Sequence, residues 1–421
     1  MNVVDRESAH RYRWLILCTA WLSYSMAFFT RLSIPPLAPF IQADLNLTRA
    51  QVGLFVTAAY LGYMAMQVPS GWLTDSIGVR KMLLIGQTVI GIFIMLTSTA
   101  TGFTQGLISM FFAGIGCGCL LTSTTKAIMY WFPRKERGTA MGLKQTGVNI
   151  GGLLAALTLP VIALTRGWRF SLLIVGLSAI LSGVVSFTLY RETSVKERSV
   201  TPSLRETLNM FKKVAVSRPL LILSCSIAIY LAVEFSLITY LVLNLVEESS
   251  LSVVLAGQYL ALTEGAGAFG KPLFGALSDI LFGGKRKRLL ILIGLLMASM
   301  CVTFGMTIRI LPLWAITAIC ILFGLTAIGY GGLYLALVGE IAGKELTGIA
   351  TGVSTTISLT GIIFGPPLFG YLADITGSYS LSWYLLASAM IVAILLIALV
   401  KERPNQIAYS YRQPGNYGRR V

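Results

Sequence analysis

Six ionisable side chains stand where charge is expensive. Arg31, Lys126, Lys144 and Lys271 are basic, Glu234 and Glu264 acidic, and all six lie inside long apolar runs. Such groups face a cavity or a partner rather than hydrocarbon. Four cations against two carboxylates favour an anionic solute. Arg31, in Thr30-Arg31-Leu32-Ser33-Ile34-Pro35-Pro36, offers a permanently charged, planar fork of donors suited to carboxylate or phosphate. Lys126 follows Thr122 by four residues and shares its helix face. Lys144 stands beside Gln145 and Asn149, which share a face at i, i+4, so this stretch reads as a wet wall. Glu264, Gly267, Lys271 and Gly275 also occupy one face. The rise from Glu264 to Lys271 is about 10 Å, so a network between them needs a third group. Glu234 and Glu264 are the carboxyl groups deep in apolar runs, which suits them to carry a proton. Structural readings stand beside these. Arg31 and Lys126 can snorkel to an interface, Glu264 and Lys271 can form a structural charge pair, and Glu234 can be permanently paired or protonated.

Other chemistries find no support. The one histidine is His10, and the six cysteines (Cys18, Cys117, Cys119, Cys225, Cys301, Cys320) lie in apolar runs without metal-ligand spacing. No metal, cofactor or disulfide framework is expected. There is no nucleophile–base pairing and no Gly-x-x-x-x-Gly-Lys loop, so the chain does not read as an enzyme. Asn46-Leu47-Thr48 matches a glycosylation acceptor by chance, since the chain reads as bacterial.

The elements that must position these residues are membrane helices. Of 421 residues, 55% are hydrophobic and 12% charged, about half the charge of a soluble domain. Such a chain cannot cover a water-facing surface, so the lipid bilayer is its expected solvent. Its 42 glycines suit close helix packing there. The net charge of +16 does not indicate nucleic acid, because the basic residues sit in short segments between apolar runs. At roughly 20 apolar residues per crossing, spans fall near 14–40, 50–75, 82–101, 105–131, 138–165 and 168–190, and again near 219–246, 253–280, 289–309, 313–340, 346–373 and 380–400. With both termini inside, 25 of the 33 basic residues fall on the cytoplasmic side and four outside, which fixes the orientation. The first run is too long for a cleavable signal. An all-α, polytopic protein of about twelve membrane helices follows. Its divisions are residues 1–192, a cytoplasmic linker 193–218, residues 219–403 and a cytoplasmic tail 404–421.

The two halves repeat. Gly71-Trp72-Leu73-Thr74-Asp75 corresponds to Gly275-Ala276-Leu277-Ser278-Asp279, and Ala140-Met141-Gly142 to Ala350-Thr351-Gly352. The first copy continues Ser76-Ile77-Gly78-Val79-Arg80-Lys81. It resembles the loop between helices 2 and 3 of the major facilitator superfamily, Gly-x-Leu-x-Asp-x-x-Gly-x-Arg-Lys. Trp131-Phe132-Pro133-Arg134-Lys135-Glu136-Arg137 and Gly167-Trp168-Arg169 are similar to that superfamily as well. The resemblance covers the whole chain. It implies two pseudo-symmetric six-helix bundles around a central cavity that opens alternately to each side. It also implies a gate at the cytoplasmic face made of Gly71, Asp75, Gly78, Arg80, Lys81, Asp279, Arg134, Arg137 and Glu340. Glycines there let helix ends approach, and an aspartate accepts hydrogen bonds from a neighbouring bundle's helix terminus.

A helix 1 arginine also resembles the superfamily's anion–cation symporters and organophosphate exchangers. Those symporters place an aspartate before the arginine and a glutamate after Gly-x-Gly in helix 4. This chain has Thr30 and Cys117 there, so proton coupling would fall to Glu234 or Glu264, or the chain exchanges anions. The resemblance thus implies a monomeric secondary transporter of a small organic anion, in a bacterial inner membrane. Its rival is a drug–proton antiporter, whose Gly-Pro-x-x-Gly-Gly stretch appears here as Gly147-Val148-Asn149-Ile150-Gly151-Gly152, without the proline.

Overall fold

The computed structural model describes residues 3–133, 136–192, 217–308, 310–343 and 346–400. Of the expected linker 193–218, residues 193–216 fall outside these residues, and Ser217 and Arg218 instead open a membrane helix; the tail 404–421 and Arg134 also fall outside. Among the described residues there are helices and no strands. The first half comprises α1 (Val3–Arg31), α2 (Ile34–Leu45), α3 (Arg49–Ile77), α4 (Val79–Ser98), α5 (Phe103–Trp131), α6 (Arg137–Arg166) and α7 (Trp168–Leu189). The second comprises α8 (Arg218–Ser249), α9 (Val253–Ile280), α10 (Arg286–Thr307), α11 (Leu313–Gly329), α12 (Gly331–Ala342), α13 (Thr347–Ser358), α14 (Thr360–Thr376) and α15 (Ser380–Leu399).

Three spans are broken helices: α1 with α2, α11 with α12, and α13 with α14. Counted this way, ten described helices are long and apolar enough to cross a membrane, and α3, bent by 56° at Pro69, makes eleven. The 28-residue α9, which carries Glu264 and Lys271, completes the twelve. The sequence accounts for the first break. Pro35 and Pro36 lack the N–H groups that would reach back to the carbonyls of Arg31 and Leu32, so α1 ends at Arg31. The prolines then sit in the first turn of α2, where no such donor is needed. The break between α11 and α12 falls at Tyr330, beside Gly329, Gly331 and Gly332, residues that weaken a helix.

Single-residue turns join neighbouring spans. Gly78 (φ 90°) links α3 to α4, and Gly167 (φ 83°) links α6 to α7. A side chain is strained at such angles, which explains both motif glycines. Between spans the backbones nearly touch: a Cβ on Gly361 would lie 1.7 Å from the Ala228 carbonyl oxygen, and one on Gly114 2.0 Å from that of Ala59. Helix association here rests on this close packing.

The two bundles meet along α3 with α14, α6 with α9, and α2 with α8. We call the side where α1 begins and α15 ends the terminal face, and its opposite the far face. The seam is tight towards the far face. A Cβ on Gly53 would lie 2.5 Å from the Tyr240 hydroxyl, one on Gly257 2.7 Å from the Ala156 oxygen, and the Thr57 hydroxyl donates to the Ile363 carbonyl at 2.9 Å. Near the terminal face, Gly138 and Gly142 of α6, Gly275 of α9 and Gly348 and Gly352 of α13 have nothing within 4 Å of an added Cβ. The bundles diverge there around a central cavity that is closed beyond its midpoint.

Candidate functional site

Arg31 stands at the break that ends α1. Its guanidinium carbon lies 3.6 Å from the ring centre of Tyr60, 4.4 Å from that of Tyr63 and 5.2 Å from that of Phe28. Tyr60 and Tyr63 are one turn apart on α3, hence on one face. The rings supply cation–π attraction without neutralising the charge. Arg31 is only 9% exposed, its Nε has no hydrogen-bond partner, and no carboxylate lies within ion-pair distance among the described residues. A buried charge is normally paired. Lys144 of α6 repeats the pattern: it is 2% exposed, its amine donates to the Thr125 hydroxyl at 3.1 Å, and it sits 4.2 Å from the Tyr24 ring centre. Tyr24, Phe28 and Arg31 follow one another at i, i+4, i+7 along α1, so the two cations border one aromatic strip.

The second bundle supplies the carboxylates. Tyr330, at the break between α11 and α12, donates its hydroxyl to Glu234 at 3.1 Å. Asn149 of the other bundle lies between Lys271 and Glu264, but it reaches only the main chain of Glu264 and not its carboxyl group. The Lys271 amine donates to Asn149 Oδ1 at 3.0 Å, while Asn149 Nδ2 donates to the Glu264 main-chain oxygen at 3.4 Å. The Glu264 carboxyl is buried against Gly152, where a Cβ would lie 3.1 Å from its Cδ. Gln145 is exposed, one turn nearer the terminal face than Asn149.

Lys126 does not join this group. Its amine donates to the Asp75 carboxylate at 2.5 Å and to the Gly71 oxygen at 2.7 Å. Four residues beyond Thr122 on α5, its flexible stem carries the amine to the end of the span, where a carboxylate is available.

The motif residues at the terminal face pair within one bundle. Asp75 binds Lys126, and Arg286 binds both Asp279 (3.7 Å) and Glu340 (2.5 Å). Arg80 donates its main-chain N–H to Glu192 at 2.7 Å and its Nε to the Phe187 oxygen at 2.6 Å. Arg137 donates to the oxygens of Phe132 and Met129. Lys81 is exposed, and Gly78 lies against the Glu192 carboxylate.

Sequence reasoning passed over a cluster at the far face: Arg49, Glu247, Asp374, Tyr379 and Tyr240. A signal for it exists. Gly370-Tyr371-Leu372-Ala373-Asp374-Ile375-Thr376-Gly377 repeats the Gly-x-Leu-x-Asp-x-x-Gly spacing of residues 71–78, at the opposite end of the molecule. The aromatic residues around Arg31 were missed as well, because tyrosines in an apolar run carry no mark of what they face.

About twelve helical spans in two bundles around a closed-ended cavity, with charged groups facing the seam, define an integral membrane transporter. The family model of the Major Facilitator Superfamily matches residues 20–360, and the chain belongs to that family; it is a transporter and not an enzyme. It is 26% identical to the probable sulfoacetate transporter SauU of Cupriavidus necator, over 94% of this chain and 98% of that protein. It is 27% identical to a probable hexose phosphate transport protein of Chlamydia trachomatis, over 92% and 90%. Its fold matches a bacterial homologue of the human lysosomal transporter Spinster, solved in an inward-facing, unoccupied conformation. The TM-score is 0.76 at 19% identity, covering 95% of this chain and 97% of that one.

Proposed function

We propose that this protein carries a small organic anion, a carboxylate or phosphate ester, across the membrane by alternating access, coupled to protons or by exchange. The observation that carries the reading is Arg31: a buried guanidinium at a helix break, held on aromatic rings, with no carboxylate among the described residues close enough to neutralise it. Such an arrangement stabilises a bound anion and disfavours a cation. Lys144, Asn149 and Lys271 extend the polar wall, with Gln145 towards the mouth. Relatives named for sulfoacetate and hexose phosphate support the same solute class. The basic-residue bias supports a cytoplasmic terminal face, which makes this the inward-open state, with residues 1–192 and 219–403 as the moving units. The test is uptake into proteoliposomes across short carboxylates, phosphate esters and cationic drugs, with and without a pH gradient. Uptake of anions alone is expected. Uptake of cationic drugs driven by an opposing proton gradient overturns the anion reading and favours efflux of drugs.

In this reading the motif residues at the terminal face regain contacts across the seam when that face closes. Asp75 is 61% exposed here, and its pair with Lys126 contributes little to the fold. Asp75→Asn is therefore expected to insert and purify like the wild type while transport falls severalfold. Wild-type transport rates in Asp75→Asn remove Asp75 from the gate.

A further inference from the structure

The far face is held by contacts that cross between the bundles. Asp374, near the end of α14, accepts the main-chain N–H groups of Arg49 (2.8 Å) and Ala50 (2.9 Å) on its two carboxylate oxygens. These are the first two donors of α3, which belongs to the other bundle. Thr48 accepts the third, from Gln51, and its main-chain oxygen the fourth, from Val52. The N-terminus of α3 is thus fully capped, half of it in trans. A carboxylate at that position also meets the positive end of the helix dipole.

The Arg49 side chain returns across the seam. It donates to the Ala373 oxygen (3.1 Å), to Glu247 through Nε (3.0 Å) and Nη2 (2.6 Å), and to the Tyr379 hydroxyl (3.1 Å). The Tyr240 hydroxyl lies within hydrogen-bond distance of the main-chain oxygens of Arg49 (2.7 Å) and Pro366 (2.8 Å). Gly370 admits this approach, since a Cβ there would lie 2.5 Å from the Arg49 oxygen. One turn beyond Tyr240 on α8, Asn244 is wholly buried and neither of its side-chain polar atoms has a partner. Buried amides are normally bonded; this one becomes satisfied if water reaches it.

We propose that Asp374 and Arg49 form the latch of the far face: a helix cap shared between the bundles, intact in this state and broken each time that face opens. The inference rests on the alternating-access reading. It gives the third Gly-x-Leu-x-Asp-x-x-Gly copy a role facing away from the first. Antiparallel spans α3 and α13–α14 each end in this motif, so each is placed to cap the start of the other, one at each membrane face.

The test uses protein with its six native cysteines changed to serine and reconstituted in liposomes. A single cysteine is placed by Asn244→Cys at the far end or Gln145→Cys in the open cavity, and its reaction rate with N-ethylmaleimide is measured. The parent is expected to react fast at 145 and slowly at 244. Adding Asp374→Ala or Arg49→Gln is expected to speed position 244 roughly tenfold or more, the scale of losing charge-assisted hydrogen bonds, and to slow position 145. Asp374→Asn, which keeps an acceptor without the charge, falls between. Unchanged rates at both positions overturn the latch. So does faster reaction at both, which means that the cap merely holds the fold together. Faster reaction at 244 with no change at 145 keeps the latch and overturns alternating access.

Discussion

Arg31→Ala is expected to weaken anion binding by roughly ten- to a hundredfold, because a hydrogen bond to a charged group contributes about 1.5–3 kcal/mol. The size follows from the surroundings of Arg31. Tyr60, Tyr63 and Phe28 hold the guanidinium without neutralising it, and Thr30 beside it spends its hydroxyl on the Met26 oxygen. In the proposed reading the anion is the partner that compensates the buried charge. Arg31→Lys keeps the charge but loses the planar fork and its fit to the rings, so it should bind between wild type and alanine. Calorimetric titration of the purified proteins with an anion that the uptake screen identifies checks this. Alanine binding as tightly as wild type removes Arg31 from the site.

Glu264→Gln is expected to abolish concentrative uptake under a pH gradient while leaving solute exchange intact. Glu264 is 3% exposed, and its carboxyl is covered by Gly152 of the opposite bundle. Lys271, the cation of its own helix face, is drawn away to Asn149. A carboxyl group sealed by the seam meets water only when the seam parts, which is what coupling a proton to the conformational step requires. Glutamine preserves shape and removes the titratable proton. Glu234 is the second candidate: it is half-buried with Tyr330 as its donor, and Glu234→Gln should act in the same way if it shares the proton. Counterflow and pH-driven uptake, measured on the same vesicles, separate the two steps. If both variants still concentrate solute, coupling does not run through these carboxylates, and exchange becomes the working mode.

Much of this molecule is written in its hydropathy. Each expected span falls on a helix of the structure, because a stretch of apolar residues long enough to cross lipid has no other stable conformation. The broken spans were harder to read. Pro35 and Pro36 announce the first break, but Leu359 carries no comparable signal. The rule on ionisable residues in spans marked Arg31, Lys144 and Lys271, which the structure places among aromatic and polar partners rather than at a span end. The same rule misplaced Lys126, since a long side chain reports the position of its Cα and not of its charge. Asn149 was legible as polar and wall-lining. Its bond across the seam to Lys271 was not, because hydropathy carries no information about which helix faces which. The far-face cluster was missed because surface charges at span ends look like topology signals until their partners are seen.

Tyr60 has two obligations. One face of its ring supports Arg31. The same residue belongs to a small apolar cluster with Val56, Phe235, Leu359 and Ile362, which joins the bundles just beyond the cavity, and its ring meets that of Phe235 edge-on at 4.9 Å. Leu359 is itself a helix joint. If the proposed function holds, a solute that draws the guanidinium towards itself acts on a ring that is also part of this inter-bundle cluster, and through it on a helix joint. In the proposed reading, occupancy and closure share a lever one side chain long.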